Sequence, residues 1–428
     1  MGPTQERKKM NTKYKNININ KTETRTNVRD SYSVTIKDNI KPHQFENYSF
    51  LEEVIFTESI TAIGEYAFRG CTSLRKIIIP DSVTTIGEGA FSDCEHLEVV
   101  HISENIDKIC KYTFANCAFL EDIVVPSKVT DIDDHAFEGC ATLINVQFSK
   151  HLRRIGNDAF KNCTNLENLY IPSSVLYIRD CAFKNCASLM TVTATLRPHY
   201  GDDVFKNCYK IRSLIIKPAG MKADMKYVKN IFHYFSEITL SADITEIEQN
   251  LFWGCTSLKT ISIPNSVTNI GDKAFYGCTS LKTVSIPNSV TNIGYEAFYG
   301  CTSLKTVSIP NSVTNIGDGA FCRCKSLTSI TIPNGVTRIG PYAFYRCTSL
   351  IKCTIPSGIK TIEFGTFMCC RSLEKVTIPR NVKFIDDYAF ANCNALNEDK
   401  VYINRRHIQI SKSAFKKGIN DFIVTNFY

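Results

Sequence analysis

Phe68, Phe91, Phe114, Phe137, Phe160 and Phe183 stand 23 residues apart, and each is followed three positions later by cysteine and six positions later by leucine. A period of that length calls for a stack of like supersecondary units, because a single 23-residue unit cannot bury its own apolar side chains. The register runs back to Phe45 and forward through Phe205, Phe232, Phe252, Phe275, Phe298, Phe321, Phe344, Phe367, Phe390 and Phe415, which makes 17 phenylalanines. Two adjacent copies, CTSLKTVSIPNSVTNIGDKAFYG from Cys255 and CTSLKTVSIPNSVTNIGYEAFYG from Cys278, are nearly identical and point to recent internal duplication.

Within the second of these copies, Thr283, Val284, Ser285 and Ile286 alternate polar and β-branched apolar residues, the pattern of a short half-buried strand. Pro287 lacks the N–H that a ladder requires, and Asn288 and Ser289 favour a turn, so the strand ends at the same place in every copy. Val290, Ile293, Gly294, Ala297 and Phe298 follow as a return arm that mixes short strand and tight helical turn. Leu281, Val284, Ile286, Val290, Ile293, Ala297, Phe298 and Cys301 are the inward candidates, buried only when units stack.

The pattern Cys-x-x-Leu-x-x-Ile/Val-x-Ile-Pro-x-x-Val-x-x-Ile-x-x-x-Ala-Phe resembles the BspA-like leucine-rich repeat class found in surface proteins of bacteria and protists. The resemblance covers nearly everything after residue 43. It implies a curved, right-handed repeat solenoid with one short parallel β-strand per repeat on the concave side and irregular or short helical return arms. Where other leucine-rich repeats carry an asparagine ladder, this chain holds Ser266, Ser289 and Ser312.

Of 19 cysteines, 14 share the phase three after phenylalanine, so they read as a buried, reduced packing column rather than a disulfide framework. Cys110, Cys181, Cys322, Cys353 and Cys369 lie off that phase. Cys322 and Cys324 with Cys369 and Cys370 lack Cys-x-x-Cys spacing, so no metal and no cofactor is expected. Cys322 and Cys369 are expected to react first with a thiol reagent.

Residues 1–42 hold ten basic side chains against four acidic ones within a whole-chain charge of +8. That tail, rich in Asn and Thr, reads as a solvated leader able to make weak contact with an anionic surface. Sequence-specific nucleic-acid readout has no motif to support it. No stretch of signal-peptide or membrane-spanning length is expected from the hydropathy, and Pro3 and Glu6 break a myristoylation motif at Gly2.

The metre slips between Phe205 and Phe252, where the spacing is 27 and then 20. Met221, Met225, Val228 and Phe232 recur at helical intervals, so a short amphipathic helix is expected to replace a return arm. The organisation is therefore 1–30 leader, 31–211 repeats with a cap, 212–250 divergent insertion, and 251–428 repeats with a cap.

No catalytic constellation emerges. Asp133, Asp134 and His135, the pair Asp386 and Asp387, and the group His199, Asp202, Asp203 and His233 match no motif, and an enzyme is not expected. What the array offers is its strand face. Thr260, Ser262, Thr283, Ser285, Thr306, Ser308, Ser329, Thr331, Thr354 and Thr377 form a hydroxyl ribbon, with Lys352 and Lys375 at its end. The first array places Lys76 and Ile78, Val99 and His101, Asp122 and Val124, Asn145 and Gln147, Asn168 and Tyr170 there instead. The expected function is protein binding or adhesion, with a protein or glycan ligand on the concave face. The resemblance favours a cell surface, whereas the thiols and the missing hydrophobic leader favour an intracellular scaffold.

Overall fold

A computed structural model describes residues 32–217, 231–396, 401–403 and 408–416. Described residues up to Ile211, with Ile231, form one compact unit, and residues 212–217 with those from Phe232 onward form a second. Both are parallel β-solenoids built from the same turn.

In the second unit each turn opens on a short strand that pairs in parallel with the equivalent strand of the next repeat. Thr283–Ser285, Thr306–Ser308, Ser329–Thr331, Lys352–Thr354, Lys375–Ile378 and Val401–Ile403 make one six-stranded sheet, preceded by the ladder of Ser213–Lys217, Glu237–Leu240 and Thr260–Ser262. The alternation in sequence fixes the faces: Val284 and Val307 point inward between exposed Thr283 and Ser285 and exposed Thr306 and Ser308. The first unit repeats this with Tyr32–Ile36, Leu51–Phe56, Lys76–Ile78 and Val99–His101, then Asp122–Val124 beside Asn145–Gln147 and Asn168–Tyr170 beside Thr191–Thr195.

The short strand expected within the return arm is present, and it forms a second ladder between repeats. After the proline turn, closed by Val290 N–H donating to the Pro287 carbonyl at 3.1 Å, the two-residue strand Asn292–Ile293 pairs with Asn269–Ile270 and Asn315–Ile316. A two-residue strand holds one inward side chain, so periodicity alone cannot set its bounds.

A third ladder surrounds the phenylalanine. Lys273, Phe275 and Gly277 donate their N–H groups forward to the carbonyls of Tyr295, Ala297 and Tyr299, each at 2.7 Å. Between them Ala274, Tyr276 and Cys278 donate back three residues within the same turn. Alternation of donors is possible because, from Phe45 to Phe205 and from Phe252 to Phe390, the residues two before and two after each phenylalanine of the stack take left-handed backbone, as at Lys273 (φ 55°) and Gly277 (φ 72°). The expected tight helical turn is thus present as isolated three-residue turns interleaved with an inter-repeat ladder.

The rings stack face to face. Centroid separations are 5.0 Å for Phe275–Phe298, 5.2 Å for Phe298–Phe321 and 5.0 Å for Phe137–Phe160, with planes within 11°. Each such pair adds about 0.5–1.5 kcal/mol beyond burial. Leu281, Val284, Ile286, Val290, Ile293, Ala297 and Cys301 are all buried beside them.

Backbone turned inward at this column leaves the phenylalanine carbonyl with a single backbone donor, and the cysteine of the next repeat supplies another. Cys301 Sγ donates to Phe275 O at 3.2 Å, and the same bond recurs from Cys71 to Phe45 and from Cys393 to Phe367. This is the chemical content of the cysteine phase, which packing alone does not explain: alanine would fit but would leave the carbonyl short of a donor. Ser266 and Ser312 act alike on the far side of the turn, donating at 2.6 Å to Ile244 O and Val290 O. The Ile-Gly step has another cause than the expected tight turn. A Cβ at Gly294 would lie 2.6 Å from Asp272 Oδ1 and 2.7 Å from Asp272 N, so glycine lets the preceding repeat come close here, and the repeats that carry Cys110, Asp133, Arg179 or Glu363 at this phase must be spaced to admit a side chain.

Of the helix expected over 220–235, residues 220–230 lie outside the described residues, as does the leader 1–30. Ile231, Phe232 and Phe235 are buried, and the Phe232 ring sits 5.2 Å from Phe252 but tilted by 56°, out of the parallel stack.

Phe298→Ala should cost roughly 3–5 kcal/mol, because the gap opens between two rings that cannot close on each other; chemical denaturation monitored by circular dichroism measures it. The thiol column also sets an alkaline limit. Burial pushes the Cys140 and Cys393 thiols up to about 12, whereas unfolded thiols titrate near 8.5. Between those values the unfolded chain has released protons that the folded chain retains, so stability falls as pH rises, by about 1.4 kcal/mol per thiol per pH unit. Under reducing conditions the melting temperature should hold to about pH 8 and drop steeply by about pH 10; a flat profile would show that the thiols are not protonated and buried.

Candidate binding face

Strand geometry carries every second side chain out of the sheet, and the parallel register lines those side chains up. Thr283, Thr306 and Ser329 are successive Cα partners in one column, with Ser329 followed by Lys352 and then Lys375. Ser285, Ser308 and Thr331 form the neighbouring column, which Thr354 and Thr377 continue as partners of each other. Thr260 and Ser262 occupy the same positions on their own strand, paired with Glu237 and Thr239. Nine of the ten hydroxyl residues singled out above are exposed, and Ser329 is half-buried.

In the first unit the equivalent columns are less uniform. Lys76 pairs with Val99 and Ile78 with His101, Asp122 with Asn145 and Val124 with Gln147. Ile78, Val99, Val124 and Tyr170 are 48%, 49%, 56% and 52% exposed, which leaves substantial apolar surface facing outward.

Carboxylates and histidines singled out in sequence are engaged in structural roles. Arg154 bridges Asp131, at 2.9 Å, and Asp133 of the preceding repeat. Burial alone would raise the Asp131 carboxyl, yet hydrogen bonds from Arg154 and Thr130 outweigh it and hold the group below its ordinary value. Asp134 accepts from the Asn157 backbone at 2.8 Å, and His135 Nδ1 meets Glu138 at 2.6 Å. Asp386 accepts from the Asp387 N–H at 2.7 Å, and Asp387 takes a hydrogen bond from Ser413. In the last repeat before the divergent insertion Asp203 pairs with Lys206 at 2.7 Å and His199 meets the Tyr177 ring edge-on, and within the insertion His233 lies against Tyr234. Among the described residues no three His, Cys, Asp or Glu side chains are grouped to hold a metal ion.

All 19 cysteines are free thiols. The expected order of reactivity needs one correction. Cys322 is buried, because it follows Phe321 in a column where its neighbours on either side are Tyr299 and Tyr345, and a small side chain there sinks between them. Cys110, Cys181 and Cys369 are the partly exposed thiols. In native protein these three should label first with a thiol reagent, while Cys322, Cys353 and the 14 phase cysteines label only as denaturant is added; mass mapping of the labelled peptides reads the order directly.

The family model described as the BspA type leucine rich repeat region, in six copies, matches residues 38–167, 107–230, 224–333 and 314–422. Among solved structures, the chain is similar to a leucine-rich repeat protein from Bacteroides ovatus ATCC 8483, at 27% identity over 71% of this chain and 79% of that one, with a TM-score of 0.42. It is also similar to the T. pallidum leucine rich repeat protein TpLRR, at 32% identity over 39% of this chain and 79% of that one, TM-score 0.37. A leucine rich cell surface protein from Faecalibacterium prausnitzii A2-165 aligns at 26% identity over 89% of this chain and 90% of that one, TM-score 0.35. No curated protein matches the chain. With family matches running from residue 38 to residue 422 across stacked parallel strands, the chain belongs to the BspA-type leucine-rich repeat family.

Proposed function

We propose that the protein is a non-enzymatic binding module that takes an extended protein or glycan partner along its strand face, at a cell surface. Leucine-rich repeat solenoids are generally non-enzymatic and are typically used for protein–protein interaction. One observation carries the reading: in the second unit two columns of hydroxyl and lysine side chains stand exposed in register over successive strands, outside the buried core of the stack. A partner lying along them gains a small increment per repeat, so binding builds by multivalency rather than through one hot spot. In the first unit, exposed Ile78, Val99, Val124 and Tyr170 add the apolar anchors that protein interfaces use.

A second reading, an intracellular scaffold, is favoured by the 19 unpaired thiols, since reducing compartments preserve such residues. Labelling intact cells with a membrane-impermeant amine reagent separates the two: recovery of labelled protein supports the surface, and recovery only from the cytosolic fraction supports the scaffold.

Changing Ser285 and Ser308 together to lysine should weaken a partner that reads hydroxyls by roughly tenfold, while stability falls by no more than about 1 kcal/mol, because both positions are exposed and the cost is the repulsion of two lysines set across adjacent strands. Affinity is measured against partners recovered with the full chain. Unchanged binding in the double variant, together with loss on altering the turn residues Tyr276 and Tyr299, would reject the strand face.

A further inference from the structure

Residues 255–385 hold 14 lysines and arginines against five aspartates and glutamates, whereas residues 43–254 hold 20 against 28. Within the basic stretch the charges are sorted by position in the repeat. From the cysteine that opens each turn to the isoleucine of the short strand there are 11 cations and a single anion, Glu374. The other four anions, Asp272, Glu296, Asp318 and Glu363, fall between that isoleucine and the next phenylalanine of the stack.

Lys259, Lys282 and Lys305 stand immediately before the exposed strand residues and one strand apart. Lys282 N–H donates to Lys259 O at 3.2 Å and Lys305 N–H to Lys282 O at 3.0 Å. All three are exposed. The ion pairs of this stretch, Lys273 with Glu296 and Arg338 with Asp318, leave them and Lys352 without an acidic partner among the described residues. Like charges set directly across adjacent strands destabilise a sheet, so folding does not account for the column.

We propose that the strand face of the second unit is a site for an acidic polysaccharide. This rests on the strand-face reading above and names the ligand's chemistry. Lys259, Lys282, Lys305 and Lys352 take the polymer's carboxylate or sulfate groups, and the adjoining threonine and serine hydroxyls, each donor and acceptor, match sugar hydroxyls. Evenly spaced strands suit a ligand with its own short repeat. A nucleic acid would need rings to stack on, and the strand positions from Thr260 to Thr377 present none. A protein partner would need apolar or aromatic anchors, of which this face offers Ile351, two strands beyond Lys305 in the same column, whereas the first unit's face presents Ile78, Val99, Val124 and Tyr170.

The test uses the full chain on immobilised heparin, with oligo-dT and polyglutamate as the competing polyanions and dextran as the neutral glycan. Lys259→Gln, Lys282→Gln and Lys305→Gln combined should weaken heparin binding by roughly tenfold or more, with a shallower salt dependence. Lys108→Gln, Lys128→Gln and Lys150→Gln in the first unit make the same change in net charge and should alter it by less than about twofold. Ser285→Lys with Ser308→Lys should bind heparin more tightly, because two added cations outweigh the two hydroxyls lost, whereas an uncharged hydroxyl-reading partner suffers the loss alone. Equal losses from the two triple variants, no loss from the first, or equal binding of oligo-dT or polyglutamate would overturn the acidic-polysaccharide site. A double lysine variant that left heparin and every other partner unaffected would instead count against the strand face as a whole.

Discussion

A buried carbonyl governs this stack. In each repeat the chain turns inward at the phenylalanine to bury the ring, and the peptide that follows carries its oxygen into the interior with it. That oxygen keeps one backbone donor, the N–H three residues on, and leaves a second lone pair for a weaker bond from the neighbouring turn. The thiol of the next repeat meets it at 3.1–3.4 Å, as from Cys370 to Phe344 and from Cys163 to Phe137. Ring, carbonyl and thiol are therefore one device, and the 23-residue spacing is what keeps the three in line.

Because that device lies wholly between neighbours, it leaves the exposed positions of the strands free to vary. The first unit fills them with isoleucine, valine, tyrosine and mixed charge, the second with hydroxyls and lysine. Two different surfaces are built on one internal architecture, and duplication of a copy repeats both the packing and whatever the surface reads.

Periodicity made the main columns legible from sequence: phenylalanine, leucine, isoleucine and cysteine recur at fixed phases, and burial follows those phases throughout the described repeats. Half of the forward ladder has a sequence signal: the left-handed position two after the phenylalanine is Asn, Asp or Gly wherever it occurs from Asn47 to Gly300, whereas the one two before it holds Tyr66, His135, Lys273 and Tyr342 and carries no residue type that marks it. The exposed hydroxyl columns could be read from alternation. The lysine column beside them was missed because charge was weighed in the tail rather than by repeat phase, and phase is what places Lys259, Lys282 and Lys305 side by side. Cys322 was misjudged by its distance from the cysteine phase, when what matters is the tyrosine-sized slot it occupies.

The turn around Phe275 sends its N–H groups toward the following repeat, while Thr291 and Gly294 on the return arm send theirs toward the preceding one, at 2.9 and 2.8 Å. Peptide dipoles in the two arms thus oppose each other along the stacking direction. An α-helix accumulates a field at its ends through aligned peptides; here adding a turn adds nearly nothing. Lengthening by duplication therefore carries no electrostatic penalty from the backbone, and the potential around the array is written by its side chains alone.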